Sequence, residues 1–301
     1  MRSNLTCPLV VEGRRVGVLF RSSRLPRAYT ERHVRVHDAI AERLGQAVLN
    51  AYRLEQVAEA NRAYAETIGF VSHELKAPIA SMLADTDVLL AGYAGPIADS
   101  QRARLEAIRR KGTGLLDLVR DYLDLARVEG GLQIQVQPEV DVAGALVDQA
   151  VELVRATMEA RGMRIELARD AAGPIACDPD LVRIILVNLV SNAVKYGRDG
   201  GLVRIEAERR EGKLAIAVWN EGPGFDAAAR GKLFRRFGRL DDPELKSRAG
   251  TGLGLYTSWR IARLHGGSID ADSEPGRWAR FTLTLPVAPT ADREPCWAFR
   301  E

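Results

Sequence analysis

The sequence predicts an α+β chain, in which a helical hairpin that forms a dimeric four-helix bundle is followed by an α/β sandwich. Apolar residues recur at helical spacing over residues 61–130, whereas period-two strands alternate with helices over residues 131–287. A chain of 301 residues can hold two or three small domains that each bury a core. Residues 1–60 form a separate N-terminal segment, and residues 288–301 form a tail.

The amino-acid composition argues against a nucleic-acid-binding protein, a disulfide-stabilised protein and a membrane-spanning protein. Lysine and arginine number 43 against 40 acidic residues, so the net charge of +3 gives no nucleic-acid signature. Three widely spaced cysteines, Cys7, Cys177 and Cys296, form neither a disulfide framework nor a metal-binding spacing, which fits a reducing compartment. No apolar run approaches the roughly 20 residues of a membrane span. We therefore expect a soluble cytoplasmic chain without a membrane span.

The sequence of the N-terminal segment predicts a β-hairpin followed by a helix. Residues 7–20 alternate as two strands around a turn at Glu12 and Gly13, and Thr30 is placed to cap the helix. That helix carries a heptad stripe, namely Ile40, Leu44, Ala47, Ala51, Leu54 and Ala58. A heptad stripe favours a parallel contact between two helices.

The first helix of the predicted helical hairpin should run to about Leu90. It presents an apolar seam whose residues are spaced by three, four and seven, namely Ile68, Val71, Leu75 and Met82. His73 lies about 200° around the helix from its neighbours in that seam and so points away from it, with Glu74 beside it. Pro78 removes the amide that would bond the carbonyl of Glu74, at a cost of roughly 3 kcal/mol. An exposed imidazole beside a carboxylate and above a loosened turn indicates a reactive histidine. The alternative for a single histidine is an ordinary surface residue.

A glycine- and proline-rich turn leads to the second helix of the hairpin, which Asp99 or Ser100 can cap. This helix has one apolar stripe, made of Leu105, Ile108, Leu115, Val119, Tyr122 and Ala126. Two amphipathic helices cannot hide both apolar faces from water. Burial contributes about 1.5–3 kcal/mol per large side chain, so we expect two copies to pair into a homodimeric four-helix bundle.

The sequence of the C-terminal region predicts an α/β sandwich, with helices on one side of a mixed sheet. Asp178 and Pro179 are an N-cap and a first helical residue, and they begin a helix that ends near Tyr196. The other predicted helices cover 142–160 and 253–264, and the predicted strands cover 133–137, 163–167, 202–209, 214–219, 268–273 and 279–285. Residues 220–252 form a long glycine-rich and charged loop.

Asn188, Asn192 and Lys195 share one face of the helix that begins at Pro179, at spacings of four and three. Amide oxygens are hard ligands that suit Mg²⁺, and a lysine suits phosphate oxygens. An ordinary polar helix face is the alternative for such a pair of asparagines.

Two glycine motifs follow. Asn220-Glu-Gly-Pro-Gly-Phe225 comes directly after a strand, where its glycines permit close approach of a ligand to the backbone, although a plain turn has the same composition. Gly250-Thr-Gly-Leu-Gly-Leu255 leads into a helix, whose N-terminus and free amides suit phosphate. A glycine triplet by itself is weak evidence.

Taken in order, these motifs resemble those of a known family. Phe70-Val-Ser-His-Glu-Leu-Lys-Ala-Pro78 resembles the phosphoacceptor box of sensor histidine kinases of two-component systems. The later motifs, with Phe234-Arg-Arg-Phe237 between them, resemble the ATP-binding fold shared by histidine kinases and gyrase. Residues 1–60 resemble the C-terminal part of a GAF sensor domain that continues into a signalling helix. An N-terminal hairpin and coiled-coil linker without a sensory role is the open alternative.

The resemblance implies roles for particular residues. His73 would accept the phosphoryl group and Glu74 would orient its ring. Asn188 and Asn192 would hold Mg²⁺. The ATP-binding set comprises Asn188, Asn192, Lys195, Tyr196, Asn220, Gly222, Gly224, Phe234, Arg239, Gly250, Thr251, Gly252, Leu253, Gly254 and Leu255. Within this set Lys195 and Arg239 would contact phosphates. Residues 225–250 would be a lid over ATP, and residues 129–131 would be a hinge.

The resemblance implies an ATP-dependent histidine autokinase that phosphorylates His73 and passes the phosphoryl group to an aspartate of a separate response-regulator receiver domain. Two other classes stay open. A weak or inactive dimeric scaffold is suggested by Asn220, where the family usually has aspartate, and by Gly276-Arg-Trp-Ala279, which lacks a second glycine. A gyrase-type ATPase would normally have a glutamate at Asn188 and would need no His73 box.

Overall fold

The computed structural model describes residues 2–129, 134–169, 172–238 and 250–288, except the side chains of Ala65, Glu66, Ser72, His73 and Ala228. These residues belong to two compact units, Met1–Glu66 and Thr67–Glu301. No helix within the described ranges is long and apolar enough to cross a membrane.

The first unit holds a hairpin and the start of a long helix. Strands β1 (Ser3–Val11) and β2 (Arg14–Ser23) pair antiparallel. Glu12 and Gly13 join them with φ of 51° and 75°, the two positive values that a type I′ turn requires. Helix α1 spans Glu31–Leu90 and directly follows Thr30, as predicted.

In the second unit, the rest of α1 forms the first helix of the helical hairpin. The second helix, α2, spans Asp99–Glu129. Ile79 and Thr86 of α1 are buried. A Cβ at Gly112 of α2 would lie 2.7 Å from Cδ2 of Leu83, so this glycine allows the two helices to approach. The predicted helical hairpin is therefore confirmed, with Pro78 inside α1.

The predicted cap of α2 was wrong by one residue. The carbonyl of Ala98 accepts hydrogen bonds from the amides of Gln101 and Arg102, both at 2.9 Å, so Ala98 is the N-cap and Asp99 is already helical. The side chain of Gln101 accepts from the amide of Ala98 at 2.9 Å. A glutamine three residues into a helix can reach back in this way, which makes an Asp or Ser cap unnecessary.

A mixed five-stranded sheet forms one layer of the sandwich. Its strands are β4 (Arg164–Arg169), β6 (Leu202–Arg210), β7 (Lys213–Glu221), β8 (Ser268–Glu274) and β9 (Trp278–Pro286), in the order β4-β6-β7-β9-β8. Only the β4–β6 pair is parallel among these. A separate pair joins β3 (Gln137–Val140) to β5 (Ile175–Cys177).

Helices form the second layer. They are α3 (Val147–Ala160, preceded by a π-helical turn at Val142–Leu146), α4 (Pro179–Tyr196), α5 (Ala227–Leu233) and α6 (Gly254–Leu264). Alternate strand residues meet the apolar faces of these helices in one core, whose fully buried members include Ile185, Leu189, Ile205, Ile216, Ile261 and Leu283. The predicted α/β sandwich is confirmed.

Three predicted details of the sandwich were wrong. The strand expected over 133–137 begins only at Gln137, because the amide of Gln135 bonds Oδ2 of Asp178 at 2.9 Å and not a neighbouring strand; residue 133 lies outside the described residues. The short strand β5 was not predicted. Helix α5 occupies part of the expected loop, where Asp226 caps it by accepting from the amide of Ala229.

Candidate functional site

Helix α4 places the two asparagines. Oδ1 of Asp178 accepts from the amides of Asp180 and Leu181 at 3.1 Å, which fixes where the helix begins. One side of α4 is buried in the core, and the opposite side forms a wall of a cleft. Asn188, Asn192 and Lys195 lie on that wall, as their spacing predicts.

The two asparagines are linked to each other and to α6. Nδ2 of Asn192 donates to Oδ1 of Asn188 at 3.2 Å, and Nδ2 of Asn188 donates to the hydroxyl of Ser258 at 2.8 Å. A Cβ at Gly254 would lie 2.4 Å from Oδ1 of Asn188. Glycine at this position therefore lets α6 begin directly against the asparagine pair.

The turn after β7 forms a second part of the cleft. Asn220 is buried, and its amide nitrogen donates to the carbonyl of Glu221 at 3.2 Å. Gly224 has φ of 62°, and a Cβ there would lie 2.6 Å from the carbonyl oxygen of Glu274. The amide of Phe225 donates to the hydroxyl of Ser273 at 2.9 Å. Both contacts hold the turn closely against the end of β8.

The glycine triplet leads into α6. Gly252 has φ of 74°, a left-handed conformation that favours glycine. The next residue, Leu253, is fully buried, and its amide bonds the hydroxyl of Thr251 at 3.2 Å. The N-terminus of α6 faces the cleft beside Lys195, whose Nζ lies 2.9 Å from the Cβ position of Gly250. A helix N-terminus next to a lysine is suited to an anion.

The cleft enclosed by these parts has a volume of about 810 Å³. Eleven residues of the predicted ATP-binding set line it, namely Asn188, Asn192, Lys195, Tyr196, Asn220, Gly224, Gly250, Thr251, Gly252, Gly254 and Leu255. Three others lie behind its wall: Leu253 is buried, Phe234 packs against the core, and the amide of Gly222 bonds the carbonyl of Arg277 at 3.0 Å.

Four predictions fall wholly or partly beyond the described residues. Arg239 and the side chain of His73 lie outside them, although the backbone of His73 belongs to α1. The predicted hinge at 129–131 is described only at Glu129, and the predicted lid at 225–250 only up to residue 238 and at Gly250. Glu74 is exposed on α1.

Sequence reasoning missed the carboxylates that α2 presents to the cleft. Asp117, Asp121 and Asp124 line it, and Asp121 accepts a hydrogen bond from the hydroxyl of Thr251. Their spacing of four and three residues places them on one helical face, which was the available signal. The sequence does not show that this face meets the glycine triplet.

The end of α2 is tied to α6. Glu129 forms an ion pair with Arg236 and accepts from the hydroxyl of Tyr256 at 3.3 Å. The guanidinium of Arg236 lies 5.3 Å from the centre of the Tyr256 ring, within the range of a cation–π contact. Helix α2 is thus held beside the cleft by two groups of contacts, one at Thr251 and one at Tyr256.

Thr257 is a further residue that the sequence did not single out. It is 2% exposed and lines the cleft, and its hydroxyl has no hydrogen-bond partner among the described residues. An unpartnered buried hydroxyl costs about 1–3 kcal/mol. A polar ligand in the cleft would remove that cost.

Burial raises the pKa of Asp121, although the hydrogen bond from Thr251 partly lowers it, and burial also raises the pKa of Asp124. A raised carboxyl pKa means that folding disfavours the ionised form. The resulting stability is fully present below the ordinary carboxyl pKa of 3.8 and is lost as the pH rises through the raised value. Acidification therefore favours the contact between α2 and the cleft.

Replacing Asp121 with Asn should accordingly stabilise the protein at pH 7, because the neutral amide avoids burial of a charge and can still accept from Thr251. We expect the melting temperature to rise by a few degrees, at roughly 2–4 °C per kcal/mol for domains of this size. The difference from the wild type should vanish as the pH approaches 4. Thermal unfolding across this pH range measures it, with the exposed Asp99→Asn on α2 as control. A less stable Asp121→Asn variant at pH 7 would contradict this account.

Comparison with known proteins follows the same division of the chain. Residues 64–131 match the family model of the His Kinase A (phospho-acceptor) domain, and residues 177–289 match that of the Histidine kinase-, DNA gyrase B-, and HSP90-like ATPase. The circadian input-output histidine kinase CikA of Synechococcus elongatus is 33% identical over 248 residues, which is 80% of this chain. The sensor-like histidine kinase SenX3 of Mycolicibacterium smegmatis is 34% identical over 221 residues, which is 73% of this chain.

A solved structure of full-length ShkA in complex with AMPPNP is similar in fold, with a TM-score of 0.58 and 30% identity over 75% of this chain. This chain spans only part of these proteins: 32% of CikA, 56% of SenX3 and 47% of the ShkA chain. Neither family model covers residues 1–63. The predicted GAF-like segment therefore stays a prediction.

Proposed function

This chain belongs to the sensor histidine kinases of two-component systems, and we propose that it is an ATP-dependent autokinase that phosphorylates its own His73. One observation carries the proposal. A single cleft brings the asparagine pair of α4, the turn after β7 and the glycine triplet together, in the same chain as the His73 box. A nucleotide site and a phosphoacceptor are the two parts that such a reaction needs.

ATP suits the cleft because its polar groups match the two ends of a nucleotide. Lys195 and the N-terminus of α6 would offer positive charge to phosphates. Asn220 is buried in the lining and would accept from the amino group of adenine. The unpartnered hydroxyl of Thr257 offers a further contact. By the family resemblance Tyr196, which lines the cleft, would stack near adenine.

Mg²⁺ suits the oxygen donors of this cleft. The amide oxygens of Asn188 and Asn192 are hard ligands, and such sites commonly combine few protein ligands with substrate phosphates. The ion would offset negative charge on the phosphates when bound. The protein's own contribution is to position the nucleotide, because phosphoryl transfer is catalysed mainly by positioning and electrostatics.

We propose that the neutral imidazole of His73 is the nucleophile. One ring nitrogen would bond to the γ-phosphorus while the bond from that phosphorus to the oxygen bridging to the β-phosphate breaks, so that ADP leaves. Glu74 follows His73 in the same helix and would orient the ring by accepting its other proton. The phosphoryl group would then pass to an aspartate of a separate response-regulator receiver domain.

Labelling with γ-labelled ATP and Mg²⁺ tests the proposal. A histidine autokinase gives protein-bound label that is labile in acid and stable in alkali. A gyrase-type ATPase would release phosphate without labelling the protein, and an inactive scaffold would do neither. Either of the last two results would overturn the proposed activity.

We also propose that the chain acts as a homodimer through the hairpin. The apolar seams of α1 and α2 remain uncovered within one chain: Val71, Leu75, Met82, Ile108 and Leu115 are between 43% and 58% exposed. Large apolar side chains that are exposed along both helices favour a protein interface. Pairing two hairpins would complete a four-helix bundle.

Replacing Leu115 with Glu should weaken this dimer, because it places a charge within the apolar seam. We expect the dissociation constant to rise at least about tenfold, which corresponds to about 1.4 kcal/mol. Sedimentation or light scattering over a dilution series measures it. The matched control is Leu167→Glu, since Leu167 is similarly exposed but lies on β4 of the sandwich. Equal dissociation constants for both variants would argue against a hairpin dimer.

Replacing Asn220 with Asp should strengthen ATP binding. The substitution turns a neutral hydrogen-bond acceptor into a charged one, and neutral bonds contribute about 0.5–1.5 kcal/mol against about 1.5–3 for charged ones. We expect about a fivefold gain in affinity, measured by calorimetric titration. ITP is the matched control ligand, because hypoxanthine lacks the adenine amino group. An equal gain for ITP, or none for ATP, would place Asn220 away from that group.

A further inference from the structure

The N-terminal unit contains a cluster of three potential metal ligands that neither family model covers. Sγ of Cys7, a ring nitrogen of His37 and a carboxylate oxygen of Asp38 all lie within 4.8 Å of one another. Cys7 is in β1, and the other two residues are neighbours in α1. Residue spacing does not indicate this site, because the cysteine and the histidine are far apart along the chain.

The packing of α1 against the β1–β2 hairpin explains how the cluster forms. His37, Ala41 and Gly45 are the buried row of this part of α1, and a Cβ at Gly45 would lie 2.9 Å from Cγ2 of Val11. Four helical residues rise about 6 Å, and two strand residues rise about 6.7 Å. The spacing of the buried helical residues therefore matches that of alternate residues of β1, which brings His37 opposite Cys7.

The environment of His37 is what indicates a ligand. The residue is only 7% exposed, and neither of its ring nitrogens has a hydrogen-bond partner among the described residues. Each buried polar group without a partner costs about 1–3 kcal/mol. His37 occupies the same buried row as alanine and glycine, where an apolar side chain would avoid that cost.

We propose that Cys7, His37 and Asp38 bind a divalent transition-metal ion of the Zn²⁺ class. A thiolate with an imidazole and a carboxylate favours such ions over Mg²⁺ or Ca²⁺, which prefer oxygen ligands alone. Two donors at about 2.0–2.3 Å from one tetrahedral Zn²⁺ lie roughly 3.3–3.8 Å apart, so donor atoms at the 4.8 Å limit would have to approach by about 1–1.5 Å on binding. The thiolate and the carboxylate together balance the charge of the ion.

The three side chains leave one position of a tetrahedral site for another ligand. A cavity of about 410 Å³ adjoins the cluster, and His37 lines it together with Tyr29 and Arg21. Water or a small anion in this cavity would approach a bound ion from the side of His37. Three protein ligands with one open position characterise zinc sites that exchange ligands, in contrast to closed structural sites.

Cobalt titration of the full chain, first freed of metal by a chelator, tests the site. Co²⁺ bound through a thiolate absorbs in the near ultraviolet, and a tetrahedral ion also absorbs in the visible. We expect one Co²⁺ per chain, both absorptions, and their loss when Zn²⁺ is added. The near-ultraviolet absorption should disappear in Cys7→Ser and persist in Cys177→Ala, whose cysteine is buried in the sandwich.

The other two ligands have their own variants. Asp38 is exposed, so Asp38→Asn should fold normally and weaken binding by more than about tenfold, since even residues outside the first ligand sphere cost that much. His37→Gln should do the same, with ATP binding as the check that the rest of the chain remains folded. Absence of thiolate absorption in the wild type, its persistence in Cys7→Ser, or full affinity in Asp38→Asn and His37→Gln would each overturn the site. These readouts do not depend on kinase activity.

Discussion

Replacing His73 with Gln is expected to reduce protein-bound label from γ-labelled ATP to background while leaving ATP binding intact. Gln has a similar size but lacks a nitrogen lone pair that can attack phosphorus, so transfer loses its acceptor. Because the residues that line the proposed nucleotide cleft come from the sandwich and from α2, nucleotide affinity should stay within about twofold, a difference below roughly 0.4 kcal/mol.

The chain offers a matched control for this experiment. His33 is an exposed histidine in the first turn of the same helix, where its Nδ1 lies 3.1 Å from the amide of Thr30. His33→Gln should label like the wild type. Label that persists in His73→Gln would remove His73 from the mechanism, and loss of label in both variants would show only that α1 is sensitive to substitution.

Replacing Gly254 with Ala is expected to weaken ATP binding strongly. The new Cβ would lie 2.4 Å from Oδ1 of Asn188, a distance that carbon and oxygen cannot adopt, so the asparagine must move. That movement breaks its bonds to Ser258 and Asn192. At about 0.5–1.5 kcal/mol for each bond, their loss lowers the stability of this region by roughly 1–3 kcal/mol. ATP affinity falls because the displaced asparagine no longer presents its oxygen to the cleft, and we expect a loss of at least about tenfold, which corresponds to about 1.4 kcal/mol.

Calorimetric titration with a non-hydrolysable ATP analogue and Mg²⁺ measures this loss, and thermal unfolding shows whether the variant remains folded. The control is Gly69→Ala, because a Cβ at Gly69 of α1 meets no atom within 4 Å. This control should bind like the wild type. Unchanged affinity in a folded Gly254→Ala would mean that the asparagine pair does not hold the nucleotide.

The parts of this protein that local chemistry determines could be predicted from the sequence. Helix α4 begins at Pro179 because Asp178 can cap it and proline has no amide to lose there. The hairpin turns at Glu12 and Gly13 because strand twist requires two residues with positive φ. The asparagine face of α4 follows from helical periodicity, and this cleft wall was predicted residue by residue.

Local signals were weaker where a short element depends on its neighbours. Strand β5 has three residues and is defined by pairing with β3, so no periodicity could reveal it. The segment before Gln137 alternates like a strand, but the side chain of Asp178 takes one of its amides. In both cases a partner distant in sequence decided which backbone hydrogen bonds formed.

The family and the residues of the α4 wall could be predicted from the chain alone, because each rests on motifs or periodicities that a short stretch contains. Only the tertiary structure brought Asp121 to Thr251, which are 130 residues apart, and Cys7 to His37. Such encounters depend on how complete helices and strands pack against one another. Packing is set by the summed burial of many side chains, and no single pattern along the chain records it.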